Sequence, residues 1–90
     1  MVAYDISDEK NRGRLRRYLR RLGLSRINRS VYAGPGTTTT AKLIAKKIKR
    51  TTEENDSVFI IVVREEEYQR AFVFDEGHVF VLQDKKFEVY

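Results

Sequence analysis

The stretch VAYDISDEKNRGRLRRYLRRLG, residues 2–23, leads from a short apolar segment directly into a basic amphipathic one. Val2, Tyr4 and Ile6 occupy every second position of the apolar segment, which is the period of a β-strand. We therefore predict a first strand with these three side chains on one face. The same alternation places Asp5 on the opposite face.

The residues after this strand have the spacing of an amphipathic helix from about Asp8 to Leu22. Ser7 is a typical N-cap, and Gly23 is a typical residue just beyond a helix end. The apolar positions recur at i, i+3, i+4 and i+7 and are Leu15, Tyr18, Leu19 and Leu22. The remaining faces carry arginines, so this helix presents a basic surface.

Two further elements follow in the basic part of the chain. Arg26–Gly34 is extended, and its pattern fits either one bent strand or a tight hairpin. Thr37–Thr40 offers several N-caps for a second helix. The apolar stripe of that helix is Ala41, Ile44, Ala45 and Ile48.

The acidic part of the chain predicts strands. Val58–Val63 is apolar at every position, which is typical of a central strand covered on both faces. Glu65–Glu67 is interpreted as an acidic connection. Ala71–Phe74 and His78–Leu82 are predicted to form a hairpin around a three-residue loop in which Gly supplies a positive φ. Residues 87–90 alternate and predict a further strand.

The order of these elements predicts the fold class. It favours one α+β domain over residues 1–90, a ferredoxin-like two-layer sandwich. Its antiparallel sheet has two helices on one face and an extra C-terminal strand. The other face of the sheet is expected to be open and to carry apolar side chains from Val58–Val63, which suits a homodimer interface.

Charge is distributed unevenly along the chain. Residues 10–50 carry fourteen Lys and Arg and no acid, whereas residues 1–9 have a net charge of −3 and residues 51–90 of −6. A block of one sign favours binding to nucleic-acid phosphates. The alternative, a charged surface of the thermophile type, normally mixes both signs.

Composition excludes several other classes. The chain has no cysteine, which excludes disulfides and thiolate metal sites. No stretch approaches the roughly 18 apolar residues that a membrane span needs, and the first residues do not resemble a secretory leader. We therefore expect a cytoplasmic protein with no membrane partner.

Asp5 is the most informative single residue, because a carboxylate at the end of an apolar strand is costly to bury without a partner. Three roles are open: an ion pair with an arginine, a cap on the following helix, or a ligand of Mg²⁺ or Mn²⁺. One carboxylate is a poor metal site, but a two-fold axis nearby would bring a second Asp5 alongside.

Other side chains are candidates for binding nucleic acid. The arginines expected to bind phosphate, since guanidinium makes bidentate contacts, are Arg12, Arg14, Arg26 and Arg29. Arg17 and Arg20 are expected to act only at a distance. Tyr4 and Tyr32 are candidates for stacking on bases.

The motifs Tyr4–Asp8 (YDISD), Arg12-x-Arg14, Gly23–Arg26 (GLSR) and Arg29–Gly34 (RSVYAG) resemble the small CRISPR-associated protein of the spacer-acquisition module, the second core Cas family. The resemblance covers nearly the whole chain. Two departures are Tyr32, where the family often has Phe, and the segment Ala33–Gly36, which replaces a more usual acidic stretch containing Leu.

The resemblance implies a ferredoxin-like homodimer in which Asp5 is the catalytic, metal-coordinating carboxylate. It also implies that Tyr4, Arg12, Arg14, Arg26 and Tyr32 surround the cleft. The expected function is Mg²⁺-dependent (or Mn²⁺-dependent) endonuclease cleavage of RNA or DNA in spacer acquisition, with an integrase as partner. The alternative is a non-catalytic DNA-binding scaffold that bridges integrase subunits.

Overall fold

The computed structural model describes residues 1–82. Its strands are β1 (Val2–Asp5), β2 (Ser25–Asn28), β3 (Val31–Ala33), β4 (Ser57–Ile60), β5 (Phe72–Asp75) and β6 (His78–Val81). Its helices are α1 (Glu9–Arg21), α2 (Thr38–Thr51) and the short α3 (Glu65–Gln69).

The main sheet has the strand order β2-β3-β1-β4, and every neighbouring pair is antiparallel. One core cluster joins its inner face to α1 and α2 and contains Val2, Tyr4, Ile6, Leu15, Leu19, Leu24, Tyr32 and Ile44. This confirms the predicted ferredoxin-like α+β architecture with both long helices on one face. Within residues 1–82 no helix is long and apolar enough to cross a membrane.

The start of α1 differs from the prediction by one residue. Asp8, and not Ser7, is the N-cap: its backbone is extended and its Oδ1 accepts from the Asn11 amide at 2.9 Å. A carboxylate at this position also complements the helix dipole. The predicted apolar stripe is confirmed, since Leu15 and Leu19 are buried and Tyr18 and Leu22 are half-buried.

The segment 26–34 forms the tight hairpin, and not the bent strand, of the two alternatives. β2 and β3 are joined by a turn at Arg29 and Ser30. The predicted start of α2 is also confirmed: Thr37 and Thr40 form a capping box. The stripe of α2 is narrower than predicted, because Ile44 is buried whereas Ala45 is exposed.

The prediction of a central strand at Val58–Val63 is wrong. Strand β4 ends at Ile60 and lies at an edge of the sheet, with β1 as its neighbour. Val58 and Ile60 pack on the core, while Phe59 points to the other face and is 61% exposed. An unbroken apolar run arises here because the outer face of this edge is also apolar.

The outer face of the sheet is only partly open, in contrast to the prediction. A second core cluster places Val73 and Leu82 against Ile27 and Ala33 of the β2–β3 hairpin. The β5–β6 hairpin turns over two residues, not three, with positive φ at both Glu76 and Gly77.

The acidic residues 65–67 form the first turn of α3 instead of an irregular connection. Carboxylates in a first turn are favoured by the helix dipole, which the sequence interpretation did not consider. The strand predicted at 87–90 lies outside the described residues.

Candidate nucleic-acid interface

A cleft of about 720 Å³ opens between α1 and the β2–β3 hairpin, at the carboxyl end of β1. Its lining residues are Tyr4, Asp5, Ile6, Arg12, Arg16, Arg20, Arg26, Arg29, Ser30 and Tyr32. Five of them are arginines and one, among residues 1–82, is a carboxylate. The cleft therefore concentrates positive charge, which attracts anions.

One wall of the cleft is a line of arginines on α1, here called the arginine row: Arg12, Arg16 and Arg20. Residues four apart share a helix face and are separated by about 6 Å along the axis. Each guanidinium of the row donates to an acceptor beneath it. Because guanidinium has five N–H donors, most remain available for a ligand.

These supporting contacts are short. Arg12 Nη1 donates to the Ile6 carbonyl at 3.0 Å. Arg16 Nε donates to Tyr4 Oη at 2.8 Å. Arg20 Nη2 donates to Tyr32 Oη at 3.1 Å.

Tyr4 and Tyr32 hold the arginine row from within the core. Their exposed fractions are 6% and 0%, and their ring centroids lie 6.3 Å apart. The Tyr4 hydroxyl donates in turn to the Arg29 carbonyl at 3.2 Å, and its contact with Arg16 raises the pKa of that guanidinium. Protein covers both rings, so their hydroxyls, and not the ring faces predicted to stack on bases, reach the cleft.

The β2–β3 hairpin forms the opposite wall. Arg26 pairs with Tyr32 across the hairpin, and directly paired residues share a sheet face. Arg29 lies in the turn, where Asn28 Oδ1 accepts from the Ser30 amide at 3.2 Å. The Ser30 carbonyl accepts from the Tyr4 amide at 3.0 Å, which fastens this wall to β1.

Asp5 lies at one end of the cleft and is exposed. Among residues 1–82 its carboxylate forms no ion pair and no hydrogen bond, and the cap of α1 is Asp8 instead. The bond from the Asn11 amide lowers the pKa of Asp8. Of the three roles open for Asp5, the described residues therefore support neither the ion pair nor the helix cap.

The structure brings together most of the residues singled out from the sequence. Asp5, Tyr4, Arg12, Arg26, Arg29 and Tyr32 all line the cleft. Arg14 does not, because two residues along a helix correspond to about 200° of rotation from Arg12. The sequence interpretation missed Arg16 and wrongly assigned Arg20 a distant role, although their four-residue spacing from Arg12 was visible.

A metal site is not complete within the described part of one chain. Residues 1–82 contain no group of three or more His, Cys, Asp or Glu side chains close enough to hold a metal ion. Among these residues, Asp5 supplies the one carboxylate that lines the cleft. This suits an ion whose other ligands are water and substrate oxygens.

Residues 1–71 match the family described as CRISPR associated protein Cas2. A protein of Thermofilum pendens named CRISPR-associated endoribonuclease Cas2 is 68% identical over 90 residues, which are 100% of this chain and 97% of that protein. A protein of Archaeoglobus fulgidus named CRISPR-associated endoribonuclease Cas2 1 is 29% identical over 89 residues, covering 98% of this chain and 95% of that protein.

Proposed function

Because this chain belongs to the Cas2 family of CRISPR-associated proteins, we propose that it is a metal-dependent endonuclease that cleaves RNA or DNA during spacer acquisition. The observation that supports this proposal is a carboxylate, Asp5, that is unpaired among residues 1–82 and lies at the end of a cleft lined there by five arginines. Both relatives described above are named endoribonucleases, which fits this chemistry.

The arginines supply backbone binding without base recognition. Guanidinium groups make bidentate contacts with phosphate oxygens, and such contacts carry no sequence information. Burial of the Tyr4 and Tyr32 rings leaves few groups in the cleft that could read a base edge. We therefore expect cleavage with little sequence preference.

Asp5 is the proposed ligand of Mg²⁺ or Mn²⁺. Mg²⁺ in proteins commonly keeps several waters and uses one or two carboxylates together with substrate phosphates, so a single exposed carboxylate beside a phosphate cleft fits this ion. When bound, the ion would lower the pKa of a coordinated water and neutralise phosphate charge. Arg12, whose Nη1 donates to the Ile6 carbonyl, is the proposed group that stabilises the negative charge developing on the phosphate.

A second copy of the chain is the proposed partner at the outer face of the sheet. Ala3 pairs with Phe59 and Asp5 with Ser57, so Asp5 and the exposed Phe59 share that face. Large apolar side chains exposed on β4, β5 and β6 are Phe59, Phe72, Phe74 and Val79. A homodimer that covers them would bring two Asp5 carboxylates toward one two-fold axis.

The family also suggests an integrase partner and a cytoplasmic location. A second function is compatible with the same cleft: a non-catalytic DNA-binding scaffold between integrase subunits. The specific observation in its favour is that, among residues 1–82, five arginines but a single carboxylate line the cleft, so the phosphate-binding groups outnumber the proposed catalytic one.

Replacement of Asp5 by Ala separates the two functions. The endonuclease requires that purified protein cleaves RNA or DNA in the presence of Mg²⁺, that Asp5→Ala abolishes this cleavage, and that binding persists. Binding without cleavage by the unmodified protein would favour the scaffold. Cleavage that is equal before and after the substitution would show a contaminating nuclease.

A further inference from the structure

We propose that the arginine row is a track for one nucleic-acid strand, in which Arg12, Arg16 and Arg20 bind three successive phosphates leading away from Asp5. The proposal deepens, and in its cleavage prediction rests on, the proposed endonuclease function. It assigns phosphate subsites to Arg16 and Arg20 and gives the bound strand a defined path along α1.

The spacing of the arginines on helix α1 matches the spacing of their supports along strand β1. Helix α1 is antiparallel to β1. Successive arginines of the row therefore contact supports that lie progressively nearer to the start of β1. Arg12 is bonded near Ile6, Arg16 to Tyr4, and Arg20 to Tyr32, which pairs with Val2. Four helical residues advance about 6 Å and two strand residues about 6.6 Å, so each arginine finds its own support.

The supports of the arginine row repeat at a distance that suits a nucleic-acid backbone. The ring centroids of Tyr4 and Tyr32, which hold consecutive members of the row, are 6.3 Å apart. This distance is close to the separation of neighbouring phosphates along one extended strand. Arg26 and Arg29 face the row from the hairpin wall, so a strand in the cleft has cations on both sides.

The distribution of charge selects the path of the strand along the row. Beyond Asp5, two exposed acidic residues lie at the start of α1: Asp8 is its N-cap and Glu9 is its first residue. Like charges repel the backbone at that end, whereas Arg20 and Arg26 attract it at the other. The favourable path therefore leads from Asp5 toward Arg20.

Two consequences follow for the substrate. Binding should strengthen as phosphates are added until the row is filled. Cleavage, which occurs beside Arg12 and Asp5, should require two further phosphates on one side of the cut bond. A substrate should therefore need at least three phosphates, as in a tetranucleotide, to be cut.

The binding test uses Asp5→Asn protein, which keeps the cleft but prevents cleavage, and short single-stranded oligonucleotides at low ionic strength. We expect a tetranucleotide, with three phosphates, to bind about tenfold more tightly than a trinucleotide. Arg20→Gln should remove this difference, whereas the neighbouring Arg17→Gln, outside the cleft, should retain it. The proposal would be overturned if the affinity rose equally from trinucleotide to tetranucleotide in the two variants, or if it did not rise in the Asp5→Asn parent protein.

The cleavage test maps cut positions on end-labelled oligonucleotides with otherwise unmodified protein. We expect cutting to begin at the tetranucleotide, with this length step lost in Arg20→Gln and retained in Arg17→Gln. Equally efficient cutting of trinucleotides and tetranucleotides by the parent protein would contradict the proposal. If no variant cleaves but the binding steps appear, the endonuclease function fails and the track stands.

Discussion

Replacement of Tyr4 by Phe removes a hydroxyl that connects both walls of the cleft. That hydroxyl accepts from Arg16 Nε at 2.8 Å and donates to the Arg29 carbonyl at 3.2 Å. The ring, which is 6% exposed, keeps its place in the core after the substitution. The change therefore isolates the hydrogen bonds from the packing of the aromatic side chain.

The structure supplies a graded series of three tyrosines. Tyr4 makes the two hydrogen bonds just described, Tyr32 accepts one from Arg20 at 3.1 Å, and the Tyr18 hydroxyl has no hydrogen-bond partner among residues 1–82. At about 1 kcal/mol for each bond, substitution by Phe should lower the free energy of unfolding by about 2, 1 and 0 kcal/mol respectively.

Urea denaturation at one fixed protein concentration measures these differences, because dimer formation would otherwise shift the midpoints. We expect equal m values in all three variants and a midpoint order of Tyr18→Phe, Tyr32→Phe, Tyr4→Phe from highest to lowest. A Tyr18→Phe protein that loses as much stability as Tyr4→Phe would refute the assignment of these hydroxyls as supports of the arginine row.

Four further predictions concern other parts of the chain. Gly13→Ala should stabilise the protein by about 0.5–1 kcal/mol, because the added methyl in α1 meets only a flexible arginine tip at 3.4 Å. Gly34→Ala should lower the thermal midpoint, because its methyl would lie 2.7 Å from a backbone carbonyl. The Asp8 carboxylate has a lowered pKa in the folded state, so its contribution to stability is present above its unfolded pKa of about 4 and is lost as pH falls through the folded value; acid titration of Asp8→Asn should lack that component. Phe59→Asp should convert a dimer into a monomer in light scattering, and an unchanged mass would exclude this face as the interface.

The first strand and the two long helices could be predicted from the sequence because each follows a single period. Val2, Tyr4 and Ile6 repeat every second residue, and the apolar residues of α1 repeat at helical spacing. Their burial depends on contacts within one chain, which the pattern encodes. The same holds for the capping threonines before α2.

Strand β4 shows why the remaining parts were harder. Phe59 is apolar and yet exposed, so the run around it has the composition of a buried central strand. Periodicity reports which residues avoid water, and it does not distinguish burial within a chain from burial by a partner. The edge position of β4 depends on strand order, which is a tertiary property.

The sequence identified most residues that line the cleft, but it did not predict how they are arranged. Asp5, Arg12 and the hairpin arginines were identified by type and motif. Arg20 was misplaced because counting charges along the chain ignores the helix face, although its eight-residue distance from Arg12 returns it to the same side. Burial of Tyr32 could not be read from its aromatic character.

The arginine row on one face of α1, and not the total charge of the helix, creates the interface. The most direct test is the salt dependence of single-stranded RNA binding by two triple variants with equal charge loss. One replaces the arginine row by Gln; the other replaces Arg14, Arg17 and Arg21 by Gln. We predict that the first reduces the magnitude of the negative slope of log K against log salt by about 2 and that the second leaves it nearly unchanged. Equal slopes in the two variants would contradict the account.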